Sequence, residues 1–221
     1  MATYALIHGA GDVGWYWHLV EAELRRRGHD VVAMDLPVDD DSAGLSTYAD
    51  VVVDAIAGRR DVVVVAQSFG GYTAPIVCSR VRSTLLVLVA GMVPSPGESA
   101  DEMFVNTGYR REARGDSSDL AIFYHDVAPD LAAEALARGR QQSETPGKEP
   151  WPLSAWPDVP TRFLLCRQDR MFPATWLRRV VRDRLGTTPD EIDSGHTPAL
   201  SRPAELAERL EAYRAEVAAS P

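Results

Sequence analysis

The chain has 221 residues, a formal net charge of −9, 45% hydrophobic residues and 25% charged residues. The length allows one large domain or two small ones, and the composition is that of a globular chain rather than a disordered one. The acidic balance argues against a nucleic-acid or anionic-membrane partner, and the longest apolar run falls far short of the roughly 20 residues that span a bilayer.

Short apolar, β-branched runs alternate with helical patterns along the chain. Strands are expected at residues 4–7, 31–34, 62–66, 85–90 and 163–166, with a short one near Glu191. These runs are nearly continuous rather than alternating, as in a parallel sheet covered on both faces. Helices are expected at 15–27, 47–57 and 69–81, the first two closed by Gly28 and Gly58. The rhythm breaks over about 92–156, which reads as an inserted lid. It holds helical patches at 101–114 and 118–140, then a loop rich in Pro, Gly and Trp. Helices at 174–185 and 204–217 complete the pattern. The order predicts an α/β fold: a mostly parallel sheet of about six strands, helices on both faces, and one domain over 1–221.

Four segments at predicted strand ends carry chemistry. Ala66-Gln67-Ser68-Phe69-Gly70-Gly71 follows the third strand and opens a helix. A sharp strand-to-helix turn strains its central residue and requires small neighbours, which Ala66, Gly70 and Gly71 supply. The alternative for Ser68 is an ordinary helix cap. His8-Gly9-Ala10-Gly11 follows the first strand and can aim a backbone N–H at Ser68; the donors expected for an oxyanion are Ala10 and Phe69. Asp169, after the strand at 163–166, is placed to orient a histidine, unless it pairs with Arg167 or Arg170. His196, in Asp193-Ser194-Gly195-His196-Thr197-Pro198, precedes the last helix and is placed to act as base. Serine needs such a base to become a nucleophile at neutral pH, and the chain order Ser, Asp, His belongs to one fold.

On these residues the chain resembles the α/β-hydrolase superfamily over nearly its full length. It is most similar to the short members grouped with plant methylesterases and hydroxynitrile lyases. Leu6-Ile7-His8-Gly9-Ala10 with Gly14-Trp15-Tyr16-Trp17 is similar to their oxyanion turn, and Gly195-His196-Thr197-Pro198-Ala199-Leu200-Ser201 to their histidine loop. The resemblance implies Ser68 as nucleophile, Asp169 as acid, His196 as base, and the N–H groups of Ala10 and Phe69 as oxyanion hole. Hydroxynitrile lyases of the group carry a lysine just after the histidine. Here Thr197 stands there, and the only lysine is Lys148 in the inserted region, which tells against a lyase.

Trp15, His125, Met171 and Phe172 are the candidates to line the substrate pocket, with core packing or a solvated helix surface as their alternatives. The expected function is serine hydrolysis of a carboxylic ester, or a related acyl bond, of a small-to-medium, partly hydrophobic substrate. Rival readings are C–C or thioester hydrolysis, lyase or cyclase chemistry with the same groups, or ligand binding on a hydrolase scaffold. No cofactor and no metal is expected: Cys78 and Cys166 stand apart without CxxC or Cys/His spacing, and Asp39-Asp40-Asp41 lacks partner ligands. Two free thiols and no signal segment point to a cytoplasmic protein. Its partner is a small-molecule ester, and the choice between monomer and homodimer is open. Activity should rise with pH as His196 loses its proton.

Overall fold

A computed structural model describes residues 1–112 and 115–219. The chain runs β1 (Thr3–Ile7), a 3-10 turn (Gly14–Trp17), α1 (His18–Arg26), β2 (Asp30–Ala33), α2 (Leu45–Ala55), β3 (Val62–Gln67), α3 (Gly70–Arg80) and β4 (Leu85–Val89). Among the described residues, four short helices lie between β4 and β5: α4 (Ala100–Asn106), α5 (Asp119–Phe123), α6 (Pro129–Arg138) and α7 (Thr145–Lys148). Then come β5 (Thr161–Cys166), α8 (Ala174–Leu185), β6 (Asp190–Ile192), α9 (Pro198–Ser201) and α10 (Pro203–Ala219).

The six strands form one sheet in the order β2-β1-β3-β4-β5-β6, and every pairing is parallel. Residues of β1, β3 and β4 are buried throughout, so their side chains feed two cores, one on each face. Tyr4, Leu6, Val63 and Val65 pack with Trp17, Val20 and Leu24 at the start of the chain and with Leu206 and Leu210 of α10. Ala5, Ile7, Val62 and Val64 point the other way, against Tyr48 and Val52 of α2, Ile76 of α3, and Leu177 and Val181 of α8. The register brings the strand ends nearly flush: Ile7 pairs with Ala66, Gln67 with Val89, and Cys166 with Ile192. The residues that follow β1, β3, β5 and β6 therefore emerge on one edge, where an open parallel sheet presents its ligand crevice.

Three expectations about helices need adjusting. The first helix begins as a 3-10 turn, because Gly14 packs against the Ala33 backbone and donates its N–H to Asp35 Oδ1 at 2.7 Å. The patch at 118–140 is two helices rather than one. Ala128 is forced out of the helical region (φ −56, ψ 136) by the following Pro129, which opens α6. The patch expected at 101–114 is helical only to Asn106; Arg114, its expected end, lies outside the described residues.

Candidate active site

The turn after β3 places Ser68 in the left-handed region at φ +52, a conformation that costs a non-glycine residue about 1–2 kcal/mol. The surroundings hold it there. Ser68 donates its N–H to Val89 at 3.3 Å, and its carbonyl accepts from Met92 at 2.9 Å and Gly71 at 3.1 Å. A Cβ at Gly71 would stand 2.1 Å from the Met92 carbonyl oxygen, and one at Gly70 2.9 Å from that of His8. The two glycines of the motif are thus required by backbone on both sides.

After β1, His8 is locked as a neutral imidazole. Its Nε2 accepts from the Leu36 N–H at 3.1 Å and its Nδ1 lies 2.8 Å from the Gly9 carbonyl. Burial pushes it down to about pKa 4. It shapes the turn, donating its one proton from Nδ1 to the Gly9 carbonyl, and carries no charge at neutral pH. Beyond it, Ala10 and Phe69 both line the cavity that Ser68 faces. Among the described residues, neither of their N–H groups donates to a protein acceptor.

Asp169 and His196 meet in the interior. His196 Nδ1 lies 2.7 Å from Asp169 Oδ2, and both side chains are almost fully buried. Asp169 Oδ1 accepts from the N–H groups of Met171 (2.7 Å) and Phe172 (2.9 Å). A carboxylate only accepts, so Nδ1 carries the imidazole proton and Nε2 keeps its lone pair. Phe172 meets the ring edge-on at 5.1 Å, and Phe123 lies at 5.4 Å. The arginines beside Asp169 are occupied elsewhere: Arg167 pairs with Asp193, and Arg170 donates to the Ala121 carbonyl. Ser68, His196, Met171 and Phe172 border one cavity of about 640 Å³ with mainly apolar walls.

Two of the expected lining residues are elsewhere. Trp15 stacks on His18 at 4.3 Å, the Arg138 guanidinium lies over its ring at 4.8 Å from the centroid, and it does not border the cavity. His125 is also outside the lining; its Nε2 lies 3.0 Å from the Gln168 carbonyl, behind the histidine loop. Its neighbour Asp126 is the residue that engages the site. Asp126 Oδ2 accepts from the Gly195 N–H at 2.7 Å and the Ser194 hydroxyl at 3.3 Å. A Cβ at Gly195 would lie 2.5 Å from Asp126 and 2.7 Å from His125, which is why that position is glycine.

Sequence reasoning passed over three further residues. Gln67, buried inside the serine motif, donates Nε2 to the His196 carbonyl at 3.0 Å and presses its other end against Gly9, bridging three loops. Gln142 accepts from the Gly11 N–H at 3.0 Å, while Arg140 donates its own N–H to the Gly11 carbonyl at 2.7 Å. Asp12, on the same turn, borders the cavity. The signal for Gln67 was its place in the motif, and for Asp12 its adjacency to the oxyanion turn. For Gln142 there was none.

The fold and the strained serine beside a buried Asp–His pair define a hydrolase of the α/β class. Comparison with known proteins agrees: a profile described as the alpha/beta hydrolase family matches residues 5–209, and the chain belongs to that family. Methyl jasmonate esterase 1 of Vitis vinifera is 24% identical over 94% of this chain and 95% of its own. Polyneuridine aldehyde esterase superposes with a TM-score of 0.81 at 19% identity, covering 96% of this chain and 98% of its own. A pyrethroid hydrolase from Sphingobium faniae superposes with a TM-score of 0.79 at 18% identity, covering 99% of each chain. The protein is a hydrolase-type enzyme, and among its described residues no helix is long and apolar enough to cross a membrane.

Proposed function

We propose that this protein is a serine esterase that cleaves a carboxylic ester of a small-to-medium, partly hydrophobic molecule. The observation that carries the reading is the buried 2.7 Å Asp169–His196 pair opening onto the cavity bordered by the strained Ser68. Ser68 Oγ attacks the carbonyl carbon while His196 Nε2 takes its proton. The N–H groups of Ala10 and Phe69 receive the oxyanion, and Asp169 steadies the imidazolium. Collapse breaks the bond to the alcohol, which leaves with the proton from Nε2. Water then repeats the sequence on the acyl-enzyme, and no cofactor enters any step. Residues 92–156 cover the site as a lid within a single domain over 1–221. The esterase names of the grape relative and of polyneuridine aldehyde esterase support ester over thioester or C–C substrates. Thr197 supports hydrolase over hydroxynitrile lyase: its hydroxyl donates to the Phe123 carbonyl at 2.7 Å and so serves the backbone. Two unpaired cysteines, which burial raises, fit a cytoplasmic setting.

A fluorophosphonate probe followed by peptide mass spectrometry tests the nucleophile. The expected adduct is on Ser68, and Ser68→Ala should abolish both labelling and turnover of short-chain aryl esters. A folded protein that labels elsewhere, or a Ser68→Ala variant with full esterase activity, would overturn the reading.

A further inference from the structure

The cavity contains a carboxylate that the ester mechanism does not use. Asp12 stands two residues past Ala10, on the turn that also carries the oxyanion donor, and it borders the same cavity as Ser68 and His196. The turn is rigid. Gly11 has φ +67, a Cβ there would lie 2.9 Å from the Arg140 carbonyl oxygen, and its N–H and C=O are held by Gln142 and Arg140. Asp12 Oδ1 accepts the Val13 N–H at 2.9 Å; among the described residues no protein donor meets Oδ2.

The charges around Asp12 are few. His196 favours its ionised form, and Asp35, on the segment after β2, opposes it. The other titratable neighbours are the phenols of Tyr16 and Tyr124, both pushed up by burial and by Asp12 itself. The two permanently cationic side chains that border the cavity are already paired: Arg140 with Asp35 at 2.9 Å and Lys148 with Glu144 at 2.5 Å. Asp12 is half-buried, and a carboxylate partly withdrawn from water with no cation beside it gains from protonation or from a counter-charge. Burial accordingly pushes Asp12 up to about 7, against the pull of the Val13 N–H and His196.

We infer that Asp12 is a substrate-binding residue that supplies charge selectivity, favouring esters with a positively charged group over neutral isosteres. The inference rests on the esterase reading of this cavity and names its substrate class. The aromatic walls, Phe69, Phe104, Phe123 and Tyr124, suit such a group because a cation is attracted to ring faces. Bound next to Asp12, the cation completes the pair that the protein leaves open and holds the carboxyl ionised.

The test uses acetylcholine and its neutral isostere 3,3-dimethylbutyl acetate. The ratio of their kcat/KM values cancels the shared dependence on His196. In the wild type this ratio should rise from pH 6 to pH 8 as Asp12 ionises. In Asp12→Asn it should be flat with pH and about tenfold lower at pH 8, the size expected for loss of one charge-assisted contact. A ratio that stays constant with pH in the wild type, or that survives in Asp12→Asn within about threefold, overturns the inference; so does an equal loss on both esters. The parallel measurement is calorimetric binding of choline and 3,3-dimethylbutanol to Ser68→Ala. Choline should bind more tightly at pH 8 than at pH 6, and Asp12→Asn in that background should remove the difference. This measurement stands apart from the nucleophile: choline selectivity without ester turnover would remove the esterase reading alone. Turnover without choline selectivity would remove the role of Asp12 alone.

Discussion

The sheet and the long connection between β4 and β5 are built on different principles. The sheet edge holds its functional groups with backbone: Ser68 through three main-chain hydrogen bonds, Asp169 through two N–H groups of its own loop. The connection contributes mostly through single side chains that reach out to those loops, as Asp126, Gln142 and Glu149 do. Its helices run four to ten residues, and Val105, Leu120 and Leu136 leave large apolar groups exposed on them. Backbone placement is cooperative and tolerates little change. Side-chain placement is divided among separable contacts, each worth on the order of 1 kcal/mol.

Mutations at matched positions can break or sharpen this contrast. The largest effect is expected at the sheet edge. Asp169→Asn keeps the shape but reverses the hydrogen-bonding demand on Nδ1, and kcat should fall about ten-thousand-fold with little change in melting temperature. Steady-state kinetics beside a thermal melt decides this, and a loss below tenfold would remove Asp169 from the reaction. Gly71→Ala comes next, since its Cβ would meet backbone at 2.1 Å. It should cost more than about 3 kcal/mol and abolish soluble expression, whereas Gly147→Ala in α7, with open space around it, should change denaturant stability by under about 0.5 kcal/mol.

A largely buried ion pair joins the connection to the sheet's flanking helices. Arg184 of α8 donates to Glu98, at the start of the connection, and both side chains are largely buried. Burial works to raise the Glu98 carboxyl, but hydrogen bonds from Arg184 and Asn106 outweigh it and the pKa is lowered. Its stabilisation is therefore complete above the ordinary glutamate range and lost as pH falls through the lowered value. Glu98→Ala should cost about 3 kcal/mol at pH 7 by urea unfolding, a difference that shrinks under acid. Asp126→Ala leaves the Gly195 N–H without its acceptor, at about 1–3 kcal/mol. It should lower kcat on neutral esters more than it raises KM, and Asp126→Asn, which can still accept that hydrogen bond, should recover part of the loss. Equal behaviour of the two variants would show that the contact does not position His196.

The same contrast governs what the sequence made legible. Strand runs such as 62–67, and the strained turn at Ser68, follow from local rules of burial and sterics that leave a mark in the residues themselves. The pairing of Asp169 with His196 could be anticipated because each sits just past a strand whose place in the sheet was readable. The connection yielded less. Pro129 divides a helical patch that apolar spacing alone had joined, and the segment Phe123-Tyr124-His125-Asp126 drew attention to its histidine when the neighbouring aspartate makes the contact. Contacts such as Gln142 to Gly11 join residues 131 positions apart, and nothing local distinguishes that glutamine from any surface residue. Trp15 was misplaced for a related reason: its packing partner Arg138 lies on α6, far along the chain.

The acceptors on the connection have a consequence for modularity. Gln142, Asp126 and Glu149 take the N–H groups of Gly11, Gly195 and Leu45, and these belong to the turn after β1, the histidine loop and the start of α2. A chimera that received residues 92–156 from a relative would inherit three orphaned amides unless the donor segment happened to bring acceptors to the same points. Connection and sheet are therefore not interchangeable parts, and a graft of the one would also loosen the loops of the other.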